Sequence, residues 1–389
     1  MKEELKCTII GGGIAGLTFA NACQQHNIPF TIYEKMPNTK PKGLGIWLGV
    51  NAVSSLSKIG ISTKRLEEKG AVLNQLLLLN SKEQHITKFN LKKYAEKFGY
   101  PAISILRSDL KEILVENIDS EKIIYDKTVT DIQYREDQQV VEFSDGTEIF
   151  SKLIVGADGI KSTCRKILFP NVSYKRRKRI CFRGVSAFTD IPEIYKNSGV
   201  EFWGQGSIFG FSPLPDNQLF WWAVISQNED SPHLESDIQK QAILDENYAE
   251  YPEFVRTIIR HTDMHHLSTS KILSLPYLNK WHNGKAVLIG DAAHGMEPNL
   301  GQGGSMAIEN AIILANGLKT GKILISQLSR YRKMTYFKVY LIKYISQVLG
   351  AVSIVKNKAI SQFINTILKY TPTIFKTIVL NYIYNSKVK

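Results

Sequence analysis

The chain has 389 residues, enough for two or three domains of ~150 residues each or for one two-lobed enzyme. Hydrophobic residues at 43% and charged residues at 22% exclude a disordered, collagen-like or coiled-coil chain. Of 49 Lys and Arg, 13 lie from Asn310 onward, where there is no Asp or Glu, so the net charge of +13 belongs to a basic C-terminal fifth behind a formally neutral body.

The chain opens with Lys2 and Lys6, then an apolar stretch, then Ala20-Asn21-Ala22 resembling a cleavage site, which has the outline of a signal peptide. Glu3, Glu4 and three consecutive glycines argue against it. A better reading is a short buried strand over Leu5–Ile10, a glycine turn, a helix over Ile14–Asn27 and a second strand over Pro29–Glu34. Gly11-x-Gly13-x-x-Gly16 fills the turn. The first glycine permits the tight bend, the second lets backbone approach a pyrophosphate, and the third lets helix and strand pack closely. Ile14 and Ala15 open the helix, whose free N–H groups suit phosphate. Glu34, 18 residues after Gly16 and followed by Lys35, is placed to accept from ribose hydroxyls, which favours FAD or NAD over NADP. The bland alternative is a glycine-rich turn in an ordinary α/β fold.

Further on, Asp109–Asn117 has a helical pattern, and Lys122–Tyr125, Val129–Tyr134 and Val140–Ser144 read as strands. Leu153–Val155 is another buried strand, ending in Gly156-Ala157-Asp158-Gly159. Ser207–Pro213 and Gln218–Ser226 form a hairpin around Leu214-Pro215-Asp216-Asn217. Helices follow around Asp237–Tyr248 and Glu253–His261, then a strand over Ala286–Ile289, a helix over Gly303–Leu318 and helical structure to about Tyr384. Cys7, Cys23, Cys164 and Cys181 form no C-x-x-C, which fits a reducing, cytoplasmic setting without structural zinc, and no metal is expected. No run reaches the ~18–20 apolar residues of a spanning helix. A second glycine fingerprint is absent, so a dedicated nicotinamide domain is not expected.

Leu288-Ile289-Gly290-Asp291-Ala292-Ala293-His294, then Pro298-Asn299-Leu300-Gly301-Gln302-Gly303-Gly304, resembles the second FAD motif of the group A flavoprotein monooxygenases, the family of salicylate hydroxylase, kynurenine monooxygenase and zeaxanthin epoxidase. Gly156–Gly159 with Ser162 and Arg165 resembles its middle motif, Arg107 before Asp109-Leu110 its FAD-contacting arginine, and Gly43-Leu44-Gly45-Ile46 with Asn51 its flavin-edge loop. The resemblance implies an α/β chain: a Rossmann-like FAD-binding domain (1–75, 101–176, 272–330) interleaved with a β-sheet substrate domain (76–100, 177–271), plus C-terminal helices (331–389). It implies non-covalent FAD held by Gly11, Gly13, Ile14, Ala15, Gly16, Glu34, Lys35, Gly45, Ile46, Arg107, Asp158, Gly290, Asp291, Pro298, Gly301, Gln302, Gly303 and Gly304. NADPH or NADH is then a transient donor and O2 a co-substrate. The implied reaction is hydroxylation or epoxidation of a small aromatic or hydrophobic substrate through a C4a-hydroperoxyflavin. A reductase of a lipid-like substrate and a non-catalytic flavoprotein sensor are the alternatives.

Phe182, Phe202, Trp203, Phe209, Phe211, Phe220, Trp221 and Trp222 offer aromatic walls for such a substrate, or plain sheet core, because alternate positions face opposite sides. Arg183, Phe211, Met296 and Pro298 are the substrate-site candidates. His294 is expected to be a packed residue. The halogenase signature Trp-x-Trp-x-Ile-Pro is absent. For the tail, Tyr336, Tyr340 and Tyr344 share a helix face. Two readings stand: a helical cap on the body, or an interfacial helix in peripheral contact with a membrane. No nucleic-acid recognition motif accompanies the charge.

Overall fold

The computed structural model describes residues 6–39, 44–135, 138–188, 190–226, 236–320 and 325–388. Cys7–Ile10 and Leu153–Gly156 are buried along their whole length, as parallel strands covered on both faces must be. Cys7–Ile10 lies at the centre of a six-stranded sheet, parallel to Leu153–Gly156 on one side and Phe30–Tyr33 on the other. Ala286–Leu288 extends the sheet beyond Leu153–Gly156, and Ile123–Ile124 lies beyond Phe30–Tyr33. Strands far apart in sequence therefore meet at one edge, and the loops that follow them are brought together.

The helices Ile14–Gln25 and Gly303–Leu318 pack against one another beside this sheet. The second is apolar almost all round and buried over most of its length. Arg107–Val115 starts two residues earlier than its pattern predicts, so Arg107 is itself the first helical residue.

The second large sheet has seven strands, in the order Ser268–Ser274, Lys175–Ser186, Gln218–Ser226, Ser207–Leu214, Ser198–Trp203, Gln75–Asn80 and His85–Asn90. The predicted hairpin is present, with Asp216 and Asn217 both at positive φ (56° and 52°) in its turn. One face of the sheet buries Phe182, Phe202, Phe209, Phe211 and Trp221 against the helices Asp237–Tyr248 and Glu253–Arg260. The other face looks toward the loops of the six-stranded sheet and the C-terminal helices.

The tail forms three helices, Ile325–Val352, Lys358–Tyr370 and Thr373–Tyr384. The first joins the main core through Leu328, Tyr331, Val339 and Ile342. It is also pinned by a buried ion pair, in which Lys338 Nζ donates to Glu309 Oε1 (2.8 Å) and Oε2 (2.9 Å) and to the Asn385 carbonyl (3.0 Å). Ile383, Tyr384 and Val388 complete the same core. The cap reading holds for these parts. Among the described residues, no helix is long and apolar enough to cross a membrane. All four cysteines are buried and unpaired.

Candidate cofactor and substrate site

The three fingerprint glycines stand in three different environments. Gly11 has φ +108°, and a Cβ there would lie 2.6 Å from the Ala157 carbonyl oxygen of the neighbouring strand's exit loop. At Gly16 a Cβ would lie 2.0 Å from the Gly11 carbonyl, so helix and turn touch through bare backbone. At Gly13 a Cβ would meet nothing within 4 Å. It would project into a cleft of about 240 Å³ bordered by Glu34, Lys35, Asp158 and Thr163. The open space lies at the N-terminus of Ile14–Gln25, where backbone N–H groups and the helix dipole favour anions, so it fits a pyrophosphate. Glu34 accepts from the N–H groups of Gly12 (2.6 Å) and Met36 (2.9 Å), which holds its carboxylate at the cleft edge.

Gly290 (φ +56°) abuts the same helix, because a Cβ there would lie 2.8 Å from Ala15 Cβ. Asp291 follows it and opens the short helix Asp291–His294. Burial pushes its carboxyl above the usual range, while Arg107, Lys343 and Arg165 pull it back. Three cations from separate segments thus converge on one carboxylate. Arg165 is buried and donates to the carbonyls of Ile160 (2.6 Å) and Ala292 (3.1 Å), which ties the middle motif to the second FAD motif. Asp158 accepts from Ser162 Oγ and from the Cys164 N–H (3.0 Å). It therefore orders its own loop while bordering the cleft.

The loops predicted for the flavin edge meet the second sheet. Gly43 lies outside the described residues. A Cβ at Gly45 would strike the Phe220 ring at 2.1 Å, and one at Gly304 would strike Ile46 at 2.7 Å. Gly301 (φ +62°) faces Trp47, and Gly303 faces Met296. Pro298 is exposed at the start of the turn Pro298–Leu300. Helix Gly303–Leu318 has no side-chain cap at Gln302, leaving its first N–H groups for an acceptor such as the flavin pyrimidine edge. The buried Gln302 has no hydrogen-bond partner for its Oε1 among the described residues. Asn51 is drawn inward instead, donating to Glu309 Oε1 (2.5 Å).

Across the sheet, one register row runs Glu201, Gly210, Trp222, Arg183, Ser268. A Cβ at Gly210 would lie 2.2 Å from the Trp222 ring, so the indole lies over bare backbone. From there Trp222 Nε1 donates to Glu201 Oε2 (3.2 Å), and Trp203 Nε1 donates to Oε1 (2.6 Å). Burial pushes the Glu201 carboxyl up, against these two bonds. Arg183 Nη1 donates to Ser270 Oγ (3.1 Å). Trp47 meets Trp222 edge-on at 5.1 Å and donates to Ser212 Oγ (2.9 Å). Trp222, Phe220 and Arg183 thus share the sheet face that Trp47 and the loops predicted for the flavin edge pack against.

Phe211 is a correction. It is fully buried on the opposite face beside Tyr195 and Phe254, because its strand position points its side chain away from the flavin loops. His294 is fully buried against Trp281, with Nε2 2.8 Å from Asn310 Nδ2. Burial, with help from Lys343, lowers it to about 3, so it stays neutral and packed.

Several residues of consequence carry no mark in the sequence. Glu297 pairs with Arg177 (2.6 Å) and Arg179 of the sheet, and its carbonyl accepts from Ser346 Oγ (2.7 Å) of the long helix. Lys343, one of many tail lysines, is fully buried and donates to the Pro276 carbonyl (3.1 Å). Burial above all, and then Arg177, lowers it to about 8, while Asp291 and Glu297 oppose the fall. The only available signal was its place beside the tyrosine face Tyr336, Tyr340 and Tyr344.

A sequence profile described as the FAD binding domain matches residues 4–321. Aurachin C monooxygenase/isomerase of Stigmatella aurantiaca is 31% identical over 336 residues, 85% of this chain and 85% of that protein. The chain belongs to the group A FAD-dependent monooxygenases. The monooxygenase is also 29% identical to 2-heptyl-3-hydroxy-4(1H)-quinolone synthase of Pseudomonas aeruginosa, over 79% of each chain. Among solved structures, Klebsiella pneumoniae HpxO complexed with FAD and uric acid superposes with a TM-score of 0.89 at 21% identity, covering 100% of this chain and 99% of that one. A salicylate hydroxylase substrate complex gives 0.80 at 19% identity, covering 100% and 97%. At these identities the structures show a shared fold.

Proposed function

We propose that this monooxygenase uses FAD and transient NADPH or NADH to insert one atom of O2 into a flat, hydrophobic aromatic substrate, by hydroxylation or epoxidation. The convergence of Trp47, Trp222 and Phe220 on the glycine loops of the flavin edge carries the reading. For hydroxylation the balance is substrate-H, NAD(P)H, H+ and O2 giving substrate-OH, NAD(P)+ and water. The names of the relatives support a flat ring, in one case a 4-quinolone with a heptyl chain.

FAD, when bound, supplies the hydride acceptor and the oxygen chemistry; the chain supplies placement, dryness and charge. The first turn after Gly13 would hold the pyrophosphate, Glu34 the adenosine ribose, and Asp291 a ribityl hydroxyl. Burial raises the Asp291 carboxyl above its usual range, and Arg107, Lys343 and Arg165 offset part of that rise. The uncapped N-terminus of Gly303–Leu318 would stabilise negative charge on the pyrimidine edge. The indoles of Trp47 and Trp222 would help keep water away from the bound flavin. Glu201 would accept from a substrate N–H or O–H, and Arg183 would meet an oxygen at the other end of the same row. Met296 and Pro298 border the loop on the flavin side.

The test uses the purified holoprotein. Anaerobic NADPH or NADH should bleach the flavin bands. Isotopically labelled O2, supplied with a panel of 4-quinolones with and without alkyl chains, should leave one labelled atom in the product. Flavin that no pyridine nucleotide reduces, with or without the panel, would sink the monooxygenase. Reduction that yields only hydrogen peroxide across the panel would sink the substrate class.

A further inference from the structure

The helix Ile325–Val352 and the residues from Ile383 to Val388 enter the main core, whereas the segment between them lies on the surface, tied by one side and by Lys376 to Thr87 (2.8 Å) and Lys97 to Asn381 (2.7 Å). Helix Lys358–Tyr370 has no buried residue at all. Its inner side, Ile364 and Leu368, packs beside Trp203 and Ile208 of the seven-stranded sheet. Its outer side carries Ile360, Phe363, Ile367 and Tyr370, spaced three and four apart on one helix face and 51–75% exposed. Beyond Thr371-Pro372 the run continues with Ile374, Phe375 and Ile378, 59–65% exposed. Single exposed apolar side chains are ordinary; a stripe over successive turns of two joined helices marks a surface that meets something.

Charge selects the occupant. Lys356, Lys358 and Lys369 are exposed along this segment, and no Asp or Glu occurs between Asn310 and Lys389. A second copy docked through the same segment by two-fold symmetry would set these lysines against their own equivalents, with no carboxylate in the tail to meet them. An anionic bilayer satisfies both features, taking the aromatic and aliphatic side chains into the acyl boundary and leaving the ammonium groups among the headgroups. We propose that the helical pair Lys358–Tyr384 docks the monooxygenase onto an anionic membrane surface. The docking face is back to back with the sheet wall that carries Trp203 and Glu201, so a hydrophobic substrate dissolved in the bilayer starts close to the site.

The experiment is sedimentation of the full-length holoprotein with vesicles of phosphatidylcholine, with or without phosphatidylserine. Binding is expected only with phosphatidylserine present. It should fall as salt rises from ~0.1 M to ~1 M and the screening length drops from ~10 Å to ~3 Å. The double variant Phe363→Ser with Ile367→Ser should lose on the order of tenfold in bound fraction, with its flavin absorbance and NAD(P)H oxidation unchanged. Lys358→Gln with Lys369→Gln should weaken binding to phosphatidylserine vesicles alone. Three results overturn the proposal: a chain that stays in the supernatant, a serine variant that binds like the parent, or a parent dimer that the serine variant turns into a monomer. The last would make a second copy the occupant. Sedimentation involves no turnover, so its failure and a failure of the monooxygenase reading are separate results.

Discussion

On one face of the seven-stranded sheet Phe182, Phe202, Phe209, Phe211 and Trp221 meet two helices and one another, and four of these five rings carry no polar atom. On the other face each large ring is matched individually. Trp222 has Gly210 beneath it and Glu201 at its N–H; Trp47 has Ser212; Phe220 has Gly45. The same strands build both faces, so propensity does not separate them. The first face is fastened mainly by ring against ring, although Trp221 has Gly184 beneath it and Thr262 at its N–H; the second has such a partner at each of these rings. Volume can be repacked at modest loss, whereas a glycine beneath an indole or an acid at its tip has no substitute nearby.

This contrast can be broken by substitution. The largest effect is expected at Trp221, fully buried in the first face and donating to Thr262 Oγ1 (2.8 Å). Trp221→Ala should cost about 3–5 kcal/mol in urea unfolding. A loss under about 1 kcal/mol would mean that this face is not close-packed core. Gly210→Ala, on the second face, should cost only about 1–3 kcal/mol of stability. It displaces the Trp222 ring, however, so KM should rise on the order of tenfold while FAD affinity holds, a shift worth about 1.4 kcal/mol. An unchanged KM would remove Trp222 from the substrate wall.

Glu201 gives a smaller effect, read against pH. Burial raises its folded-state value above the usual 4.5 or so. The folded chain therefore holds this proton longer than the unfolded chain does. Its contribution to stability is fully present below the unfolded value and is lost as pH climbs through the folded one. Glu201→Gln removes that loss, so urea midpoints of parent and variant should draw apart in the variant's favour as pH rises from ~4 to ~7. Parallel curves would mean that the carboxyl is not desolvated. The smallest effect is expected at Phe211→Leu, a near-conservative change on the first face. It should cost about 1 kcal/mol and leave KM alone. A raised KM would return Phe211 to the substrate site.

How much of this was legible in the sequence depends on which physical demand each residue answers. Gly11 and Gly16 answer demands that only glycine meets and Gly13 leaves the cleft open, and their spacing already implied the turn, the cleft and the helix. The interleaved architecture was legible because the motifs stand in order along the chain. The two faces of the sheet were not. Trp221 and Trp222 are adjacent and both aromatic, so the period of two that marks a half-buried strand disappears when both faces take rings. Gln75–Asn80 was hidden because it pairs with Ser198–Trp203, more than a hundred residues away. Lys343 and Lys369 look alike in the tail; only packing shows that one is buried under Tyr277 and the other exposed. The tail's charge was readable, but which of its apolar turns face inward was not.

Glu297 immediately precedes the flavin loop, yet its carboxylate is held by two guanidiniums of the sheet and its carbonyl by the long helix. Sheet, loop and helix are clamped at a single residue. Separating the lobes at this seam would break both ion pairs and the Ser346 hydrogen bond together. Arg177 and Arg179 stand on the strand that also carries Arg183, so the substrate sheet and the turn at Pro298 are joined through one acid.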